Sequence, residues 1–191
     1  MTFAPEQEAL DFLARHPDIT LFELFIIDAA GVPRGKLLHR EELLTVFRDG
    51  RPLPSAMMNL TVLGEDTDGS GLVWDVGDID CRAYPLPGSL VRLPWRQMPT
   101  GAVQVQMHPH EGLPAVVADP RHLLQQVIAH MEADGLHPIM ACELEFYLLD
   151  AHNDTQGRPQ PALDVDGGRP GQTQVYGLRE LEQIEPFLAD L

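Results

Sequence analysis

Cysteine and long apolar runs are both scarce in this chain. Only two cysteines, Cys81 and Cys142, occur among 191 residues, which is too few for the disulfide scaffold of a small secreted protein. Both lie in strand-like surroundings and are expected to be buried thiols. No apolar run approaches the roughly 20 residues of a membrane span, and the acidic N-terminus lacks the basic start of a signal peptide. These absences predict a soluble, cytoplasmic protein without membrane contact.

Positive charge is also scarce. Lys and Arg number 13 against 29 Asp and Glu, which gives a formal net charge of −16. Nucleic-acid binding needs a basic surface, so this class of partner is excluded. The charge is compatible with a cationic substrate, but the preferred interpretation is an ordinary acidic protein. The sequence has no Gly-rich phosphate loop or nucleophile–base motif, and its eight histidines lack metal-ligand spacing.

The first hundred residues have the pattern of a small α+β domain. Apolar residues at helical spacing predict a helix over Glu6–Arg15, ended by His16-Pro17. Strands over Thr20–Asp28 and Arg34–Leu38, joined by a turn containing Gly and Pro, form a predicted hairpin. A helix over Glu41–Phe47 and further short strands follow. Hairpin, helix and strands in this order are the plan of a β-grasp domain.

A second part is predicted to begin after a boundary near Pro109–Pro114. Asp119 as N-cap and Pro120 at the first position indicate the start of a helix with one apolar stripe. A strand is predicted over Ile139–Asp150 and a last helix within Leu178–Leu188. Because a buried strand needs neighbours and none is evident, this second domain is expected to be incomplete.

Two carboxylates stand two residues apart in the predicted strand. Glu143 and Glu145 alternate with the apolar residues Met140, Cys142, Leu144, Phe146 and Leu148. Successive side chains on a strand point to opposite faces, so both glutamates share one face, with Cα atoms roughly 6.5 Å apart. Such a pair repels and resists desolvation, and Mg²⁺ or Mn²⁺ relieves both costs. The alternative is a strand whose glutamates simply face solvent.

The chain combines three features: Asp119-Pro120-Arg121 before a helix, the run Cys142–Asp150, and the run from Phe25 to Lys36. Together they resemble the N-terminal part of the glutamine synthetase family. Asp119-Pro120-Arg121, the helix, Gly135 and the run Cys142–Asp150 are similar to the family's entry into its catalytic domain. The run from Phe25-Ile26-Ile27-Asp28 to Gly35-Lys36 resembles the opening of its β-grasp domain. The branch of γ-glutamyl-amine (glutamylpolyamine) ligases is matched more closely than the ammonia-using enzymes, at Gly77-Asp78-Ile79-Asp80, Pro87-Gly88-Ser89-Leu90 and Leu93-Pro94-Trp95.

The resemblance implies an α+β fold in three parts. An N-terminal helix would occupy residues 1–17, and a β-grasp domain residues 18–110. The first part of a glutamine-synthetase-type catalytic α/β domain would occupy residues 115–191 and remain incomplete. The resemblance covers nearly the whole chain but less than half of a full family member.

By the same resemblance, the full-length protein would be an ATP-dependent ligase. It would join the γ-carboxylate of glutamate to an amine through a γ-glutamyl phosphate. Glu143 and Glu145 would hold Mg²⁺ or Mn²⁺, which offset the repulsion between an anionic nucleophile and a phosphoryl group. The remaining ATP and glutamate residues are expected beyond Leu191, so this stretch alone should be inactive, and the full-length protein should form a homo-oligomeric ring. The alternatives are an ammonia-using glutamine synthetase and a non-catalytic structural or binding relative on the same scaffold.

The residues from Met57 to Gly64, called segment 57–64 below, bear on the acceptor. Ammonia-using members carry an Asp-Gly-Ser-Ser segment here, whereas this chain has Met-Met-Asn-Leu-Thr-Val-Leu-Gly, without an acid. A small cation in a partly dry site needs a negative partner, so an apolar segment better suits the alkyl part of a larger amine. Asn59 is the candidate substrate-binding residue. In a shifted register Asp68 would be the acid, although Asp-Gly is a common turn pair.

Overall fold

The computed structural model describes residues 3–75, 77–108, 119–171 and 175–191. They form two compact units, Met1–Pro138 and Ile139–Leu191. The boundary predicted near Pro109–Pro114 lies outside the described residues. Within the described parts of the chain, no helix is long and apolar enough to cross a membrane.

Among the described residues, the first unit contains six strands and three α-helices, and the second contains two short helices. Short 3-10 helices at Arg40–Glu42 and Ser55–Asn59 complete the regular structure of the described residues. The elements of the first unit are, in chain order, α1 (Glu6–Arg15), β1 (Leu21–Ile27), β2 (Pro33–His39), α2 (Leu43–Asp49), β3 (Arg51–Pro54), β4 (Asp80–Pro85), β5 (Val91–Arg92), β6 (Thr100–His108) and α3 (Pro120–Ala133). Those of the second unit are α4 (Leu178–Glu182) and α5 (Glu185–Asp190).

The strands form one mixed sheet in the order β2-β1-β6-β4-β3, with β5 paired to β6. β1 and β2 are the predicted antiparallel hairpin, and β1 runs parallel to β6. The remaining pairs are antiparallel. A mixed sheet with helices confirms the α+β class.

The core of the first unit lies on one face of this sheet. Burial alternates along β1, where Phe22, Leu24 and Ile26 are buried. Phe12 of α1 and Phe47 of α2 belong to the same cluster. Burying each such side chain stabilises the fold by about 1.5–3 kcal/mol. The alternation therefore fixes the register of β1 and, with it, the position of the turn that follows.

β2 requires glycine at position 35. Gly35 lies opposite Phe25, and a Cβ added to Gly35 would lie 1.8 Å from the carbonyl oxygen of Leu24. Main-chain atoms of a paired strand cannot move aside for a side chain. Gly35 therefore allows the close approach of the two hairpin strands just before Lys36.

The strand predicted over Ile139–Asp150 is not formed, and that prediction is wrong. Leu149 alone in this stretch makes a β-bridge, to Pro161. Met140 and Leu144, expected in a buried layer, are 79% and 82% exposed. A strand needs hydrogen-bonding neighbours, and the described residues of the second unit supply none beyond that bridge.

One cysteine differs from expectation, and the last helix is interrupted. Cys81 is buried as predicted, but Cys142 is exposed because the strand around it is missing. Burial raises the pKa of the Cys81 thiol. The helix predicted over Leu178–Leu188, interrupted or begun again at Pro186, is divided into α4 and α5. Pro186 lies in the first turn of α5, where proline is tolerated.

Candidate functional site

Glu143 and Glu145 lie in the second unit, outside regular secondary structure, and both are exposed. Across the described part of the chain, no group of three or more His, Cys, Asp and Glu side chains could hold a metal ion. The donor type fits Mg²⁺ or Mn²⁺, but two carboxylates do not complete an octahedral shell. The metal role of Glu143 and Glu145 therefore stays a prediction.

Glu145 borders an apolar groove of about 780 Å³ within the second unit. Phe146 and Phe187 meet there edge to face, with ring centroids 5.7 Å apart. Leu144 and Leu188 also line the groove. Phe146, one of the apolar residues predicted to back the glutamates, thus contacts Phe187 of α5 instead of a neighbouring strand.

Segment 57–64 lies in the first unit and begins in the 3-10 helix Ser55–Asn59. Met58 is buried, while the apolar tip, Val62 and Leu63, is 69% and 85% exposed. Asn59 is half-buried, and its main-chain carbonyl oxygen accepts a hydrogen bond from Thr67 Oγ1 at 2.7 Å. The segment therefore combines a buried stem with an exposed apolar tip.

The chain folds back immediately after this tip. The amide of Thr61 donates to the carbonyl of Glu65 at 2.9 Å, and Leu60 and Asp66 are bridge partners. Asp66 is exposed. Segment 57–64 itself contains no acid, yet the fold places Asp66 opposite Leu60. The pairing of Leu60 with Asp66 was not predicted from the sequence, because the turn between these residues has no strong sequence signal.

Asp68 lies in a turn, as the Asp-Gly pair predicted. It is exposed, and Gly69 adopts a φ of 72°. That left-handed conformation is one glycine adopts without strain.

A buried ion pair lies between the β1–β2 turn and segment 57–64. Asp28 Oδ1 accepts hydrogen bonds from the amides of Ala30 and Val32, at 2.9 and 2.8 Å. Asp28 Oδ2 accepts from Arg34 Nε at 2.9 Å. Burial works to raise the pKa of Asp28, but the hydrogen bonds from Arg34, Val32 and Ala30 outweigh it and hold this pKa below its ordinary value.

The ion pair was not found by sequence reasoning. The turn Ala29-Ala30-Gly31-Val32-Pro33 was recognised, and an Asp preceding a turn commonly bonds the amides that follow it. The further reach of Arg34 to a distant loop depends on tertiary structure, so the local pattern did not reveal it.

Comparison with known proteins finds a family match for part of the chain. Residues 117–191 match the family model described as glutamine synthetase, catalytic domain. Residues 117–191 are therefore similar to the glutamine synthetase catalytic domain, which confirms the recognition made from the sequence.

Two curated relatives are glutamate–amine ligases by name. The chain is 30% identical over 187 residues to gamma-glutamylputrescine synthetase PuuA of Escherichia coli (strain K12), covering 97% of this chain and 39% of that protein. It is 31% identical over 142 residues to glutamate–isopropylamine ligase of Pseudomonas sp, covering 73% of this chain and 30% of that protein. The chain thus spans about two-fifths or less of the length of these relatives.

Solved structures show the same fold. One described as apo GmaS without ligand matches with a TM-score of 0.52 and 21% identity, covering 93% of this chain and 37% of that one. A second, described as a novel glutamine synthase homolog, matches with a TM-score of 0.51 and 22% identity over 61% of this chain and 27% of that one. At these identities the likeness concerns the fold alone.

Proposed function

We propose that this chain is part of an ATP-dependent ligase that joins the γ-carboxylate of glutamate to a primary amine. The observation that carries the proposal is the similarity to two relatives named as glutamate–amine ligases. The glutamine synthetase catalytic-domain match over residues 117–191 supports the same chemistry.

The proposed reaction has two steps. A γ-carboxylate oxygen of glutamate attacks the terminal phosphorus of ATP, and the bond from that phosphorus to the leaving oxygen of ADP breaks. The amine nitrogen then attacks the carbonyl carbon of the γ-glutamyl phosphate. Inorganic phosphate leaves and the nitrogen loses a proton, which yields the γ-glutamyl amide. Positioning and charge stabilisation dominate such phosphoryl transfers.

Glu143 and Glu145 are the residues of this chain that we assign to divalent cations. A bound Mg²⁺ or Mn²⁺ would offset the repulsion between glutamate and the phosphates of ATP. Their exposure in the described structure leaves both carboxylates accessible to a cation. The other ligands would come from outside the described residues.

Segment 57–64, with Asn59, is the part we assign to the acceptor amine. The exposed side chains of Val62 and Leu63 offer apolar surface to the methylene groups of an amine. Each buried methylene contributes up to about 0.8 kcal/mol. This surface supports an alkyl amine over ammonium.

One observation favours a second candidate, an ammonia-using glutamine synthetase. Asp66 is the bridge partner of Leu60, and Asp68 follows closely. A carboxylate beside the acceptor would stabilise an ammonium ion. The two candidates differ only in the acceptor, so a comparison of acceptors separates them.

We also infer the finer architecture and assembly. The mixed sheet corresponds to a β-grasp domain over residues 18–110, following a helix within residues 1–17, and residues 115–191 open the catalytic domain. The order hairpin, α2 and further strands supports this assignment. The full-length protein would act as a cytoplasmic homo-oligomer, as the resemblance implies.

Transfer of an isotope label tests the proposed function. The full-length protein is given ATP, an amine such as putrescine or isopropylamine, and glutamate carrying ¹⁸O in its γ-carboxylate. One labelled oxygen should appear in inorganic phosphate for each γ-glutamyl amide formed, because the carboxylate oxygen that attacks phosphorus leaves with it. Amide formation with unlabelled phosphate, or phosphate release independent of glutamate, would refute the acyl-phosphate route.

A further inference from the structure

Arg34 connects two parts of the first unit that are far apart in sequence. Its Nε donates to Asp28 Oδ2 at 2.9 Å, and its Nη2 donates to the carbonyl oxygen of Thr61 at 2.7 Å. The side chain of Asp28 is fully buried and that of Arg34 is 18% exposed. The pair is therefore largely shielded from solvent, unlike an ordinary surface ion pair.

The anchor that holds Arg34 is rigid. Asp28 is fixed by the amides of Ala30 and Val32, which lie in the β1–β2 turn. β1 is itself fixed by the buried Ile26 next to the turn. The planar guanidinium leaves little freedom once two of its nitrogens are engaged. Because Arg34 is fixed to the β1–β2 hairpin, its hydrogen bond holds the carbonyl of Thr61 in place relative to the sheet.

Thr61 accepts the hydrogen bonds that close the loop. Its carbonyl also accepts the amide of Gly64 at 2.8 Å, and its hydroxyl accepts the amide of Glu65 at 3.1 Å. A Cβ on Gly64 would lie 3.3 Å from Arg34 Nη1. Arg34 therefore packs against the turn that carries the exposed tip, Val62 and Leu63.

A second contact ties the same segment to the same turn. The amide of Ala29 donates to the carbonyl of Met58 at 3.1 Å. Segment 57–64 is thus held at Met58 by the main chain of the turn and at Thr61 by the side chain of Arg34. Only the contact to Thr61 depends on a side chain. A change of the Arg34 side chain therefore removes this contact and leaves the one at Met58.

We propose that Arg34 is a positioning residue for the acceptor, which holds the exposed tip of segment 57–64 where it contacts the alkyl part of the amine. This inference rests on the proposed function of that segment. Arg34 does not contact substrate itself. It acts through Thr61, and its effect is expected on binding of the acceptor and not on binding of ATP or glutamate.

Arg34→Lys in the full-length protein tests this role. A lysine keeps the positive charge beside Asp28, but a single ammonium group on a flexible stem cannot reproduce the planar fork to both partners. Loss of the Thr61 hydrogen bond should raise KM for isopropylamine by about tenfold, which corresponds to about 1.4 kcal/mol. KM for ATP and for glutamate should stay unchanged within error. Amide exchange at Gly64 and Glu65 should also become faster.

Arg40→Lys is the matched control. Arg40 also binds main-chain carbonyls, those of Leu13, His16 and Ile19, at 2.7–2.8 Å. These contacts hold α1 and the start of β1 and do not involve segment 57–64. Arg40→Lys should lower the melting temperature but leave KM for the amine unchanged. A merely structural role for Arg34 would make the two variants behave alike.

The outcomes separate this proposal from the proposed function. If the wild type ligates an amine or ammonium and Arg34→Lys leaves KM for that acceptor unchanged, the positioning role is overturned and the ligase function stands. If the wild type ligates neither, the ligase function falls and the positioning role falls with it. Should Arg34→Lys not fold, Asp28→Asn is used, since it weakens the hold on Arg34 but keeps the turn. A rise in acceptor KM alone supports the proposal, and an unchanged value overturns it.

Discussion

Burial and hydrogen bonding have opposite effects on the pKa of Asp28. Its carboxylate is removed from solvent, yet three hydrogen bonds from Arg34, Val32 and Ala30 keep it ionised. Leaving such a charge without partners in the interior is strongly unfavourable. The same contacts that satisfy Asp28 also shape the β1–β2 turn, so this one side chain couples local electrostatics to the geometry of the hairpin.

Asp28→Asn should make stability less dependent on pH. Folding lowers the pKa of Asp28. The ionised carboxylate therefore increases the free energy of unfolding above the unfolded pKa of about 3.9, and this contribution is lost as pH falls through the folded pKa. The difference in free energy of unfolding between wild type and Asp28→Asn should therefore shrink below about pH 4. Urea denaturation from acidic to neutral pH measures it, with the exposed Glu41→Gln as control. A difference that stays constant across this range would contradict the account.

Glu145→Ala should impair metal-dependent turnover in the full-length protein. If Glu145 ligates a divalent cation, its loss should reduce the Mn²⁺-supported rate by about 100-fold, since such ions supply several kcal/mol of charge stabilisation. Titration of activity against Mn²⁺ checks this. Glu182→Ala, an exposed carboxylate on α4, is the control and should remain near wild type. Unchanged activity of Glu145→Ala would remove the metal assignment.

At the scale of elements, sequence patterns succeeded where the signal and its partners are close in the chain. The bounds of α1, the β1–β2 hairpin and the N-cap of α3 follow from local spacing and turn chemistry, and the structure confirms them. The predicted strand over Ile139–Asp150 failed because alternation only shows that a face could be buried. Whether a strand forms depends on neighbours, which a local pattern cannot supply.

In each unit the candidate residues were selected by residue type, and their functional roles stay predictions. The residue types of Glu143, Glu145 and segment 57–64 drew attention to them. The contacts that position segment 57–64 were not predictable, since Arg34 and Thr61 are 27 positions apart. The bridge between Leu60 and Asp66 likewise arises from the fold of the loop.

Asp119→Ala should destabilise the start of α3. The buried Asp119 carboxylate accepts hydrogen bonds from the amides of Arg121 and His122, at 2.9 and 3.4 Å. Removing an N-cap of this kind costs about 1 kcal/mol. Hydrogen exchange in the first turn of α3 measures the effect.

Asp134→Ala is the control for this prediction. Asp134 is exposed at the other end of α3, where a carboxylate is unfavourable to the helix dipole. Its removal should not increase exchange along α3. Equal exchange in Asp119→Ala and wild type would show that the cap is not needed.

At the scale of the whole molecule, the two units differ in their burial. The first has a core of about two dozen buried apolar residues, including Phe22, Leu24 and Val103. None of the described residues of Ile139–Leu191 is buried. The first unit therefore has the apolar burial that stabilises a fold, and the second does not.

Hydrogen exchange of the 191-residue chain should reveal this contrast. Amides of β1 and β6 should be strongly protected, because they lie in a paired and buried sheet. Amides of Ile139–Leu191 should exchange much faster, since few contacts oppose local opening. Equal protection of both units would mean that the second unit forms a core of its own or pairs with another chain.

The proposed function requires that the full-length protein prefer an alkyl amine to ammonium as acceptor. Competition in one reaction tests it most directly: ATP and glutamate are supplied with equal concentrations of ammonium and isopropylamine, and both products are counted by mass spectrometry. We expect more γ-glutamyl isopropylamide than glutamine. In Asn59→Asp the products should shift towards glutamine, because a carboxylate replaces the side-chain amide of Asn59. Glutamine as the sole product of the wild type would contradict the account and would point to Asp66 or Asp68 as the acid at the acceptor site.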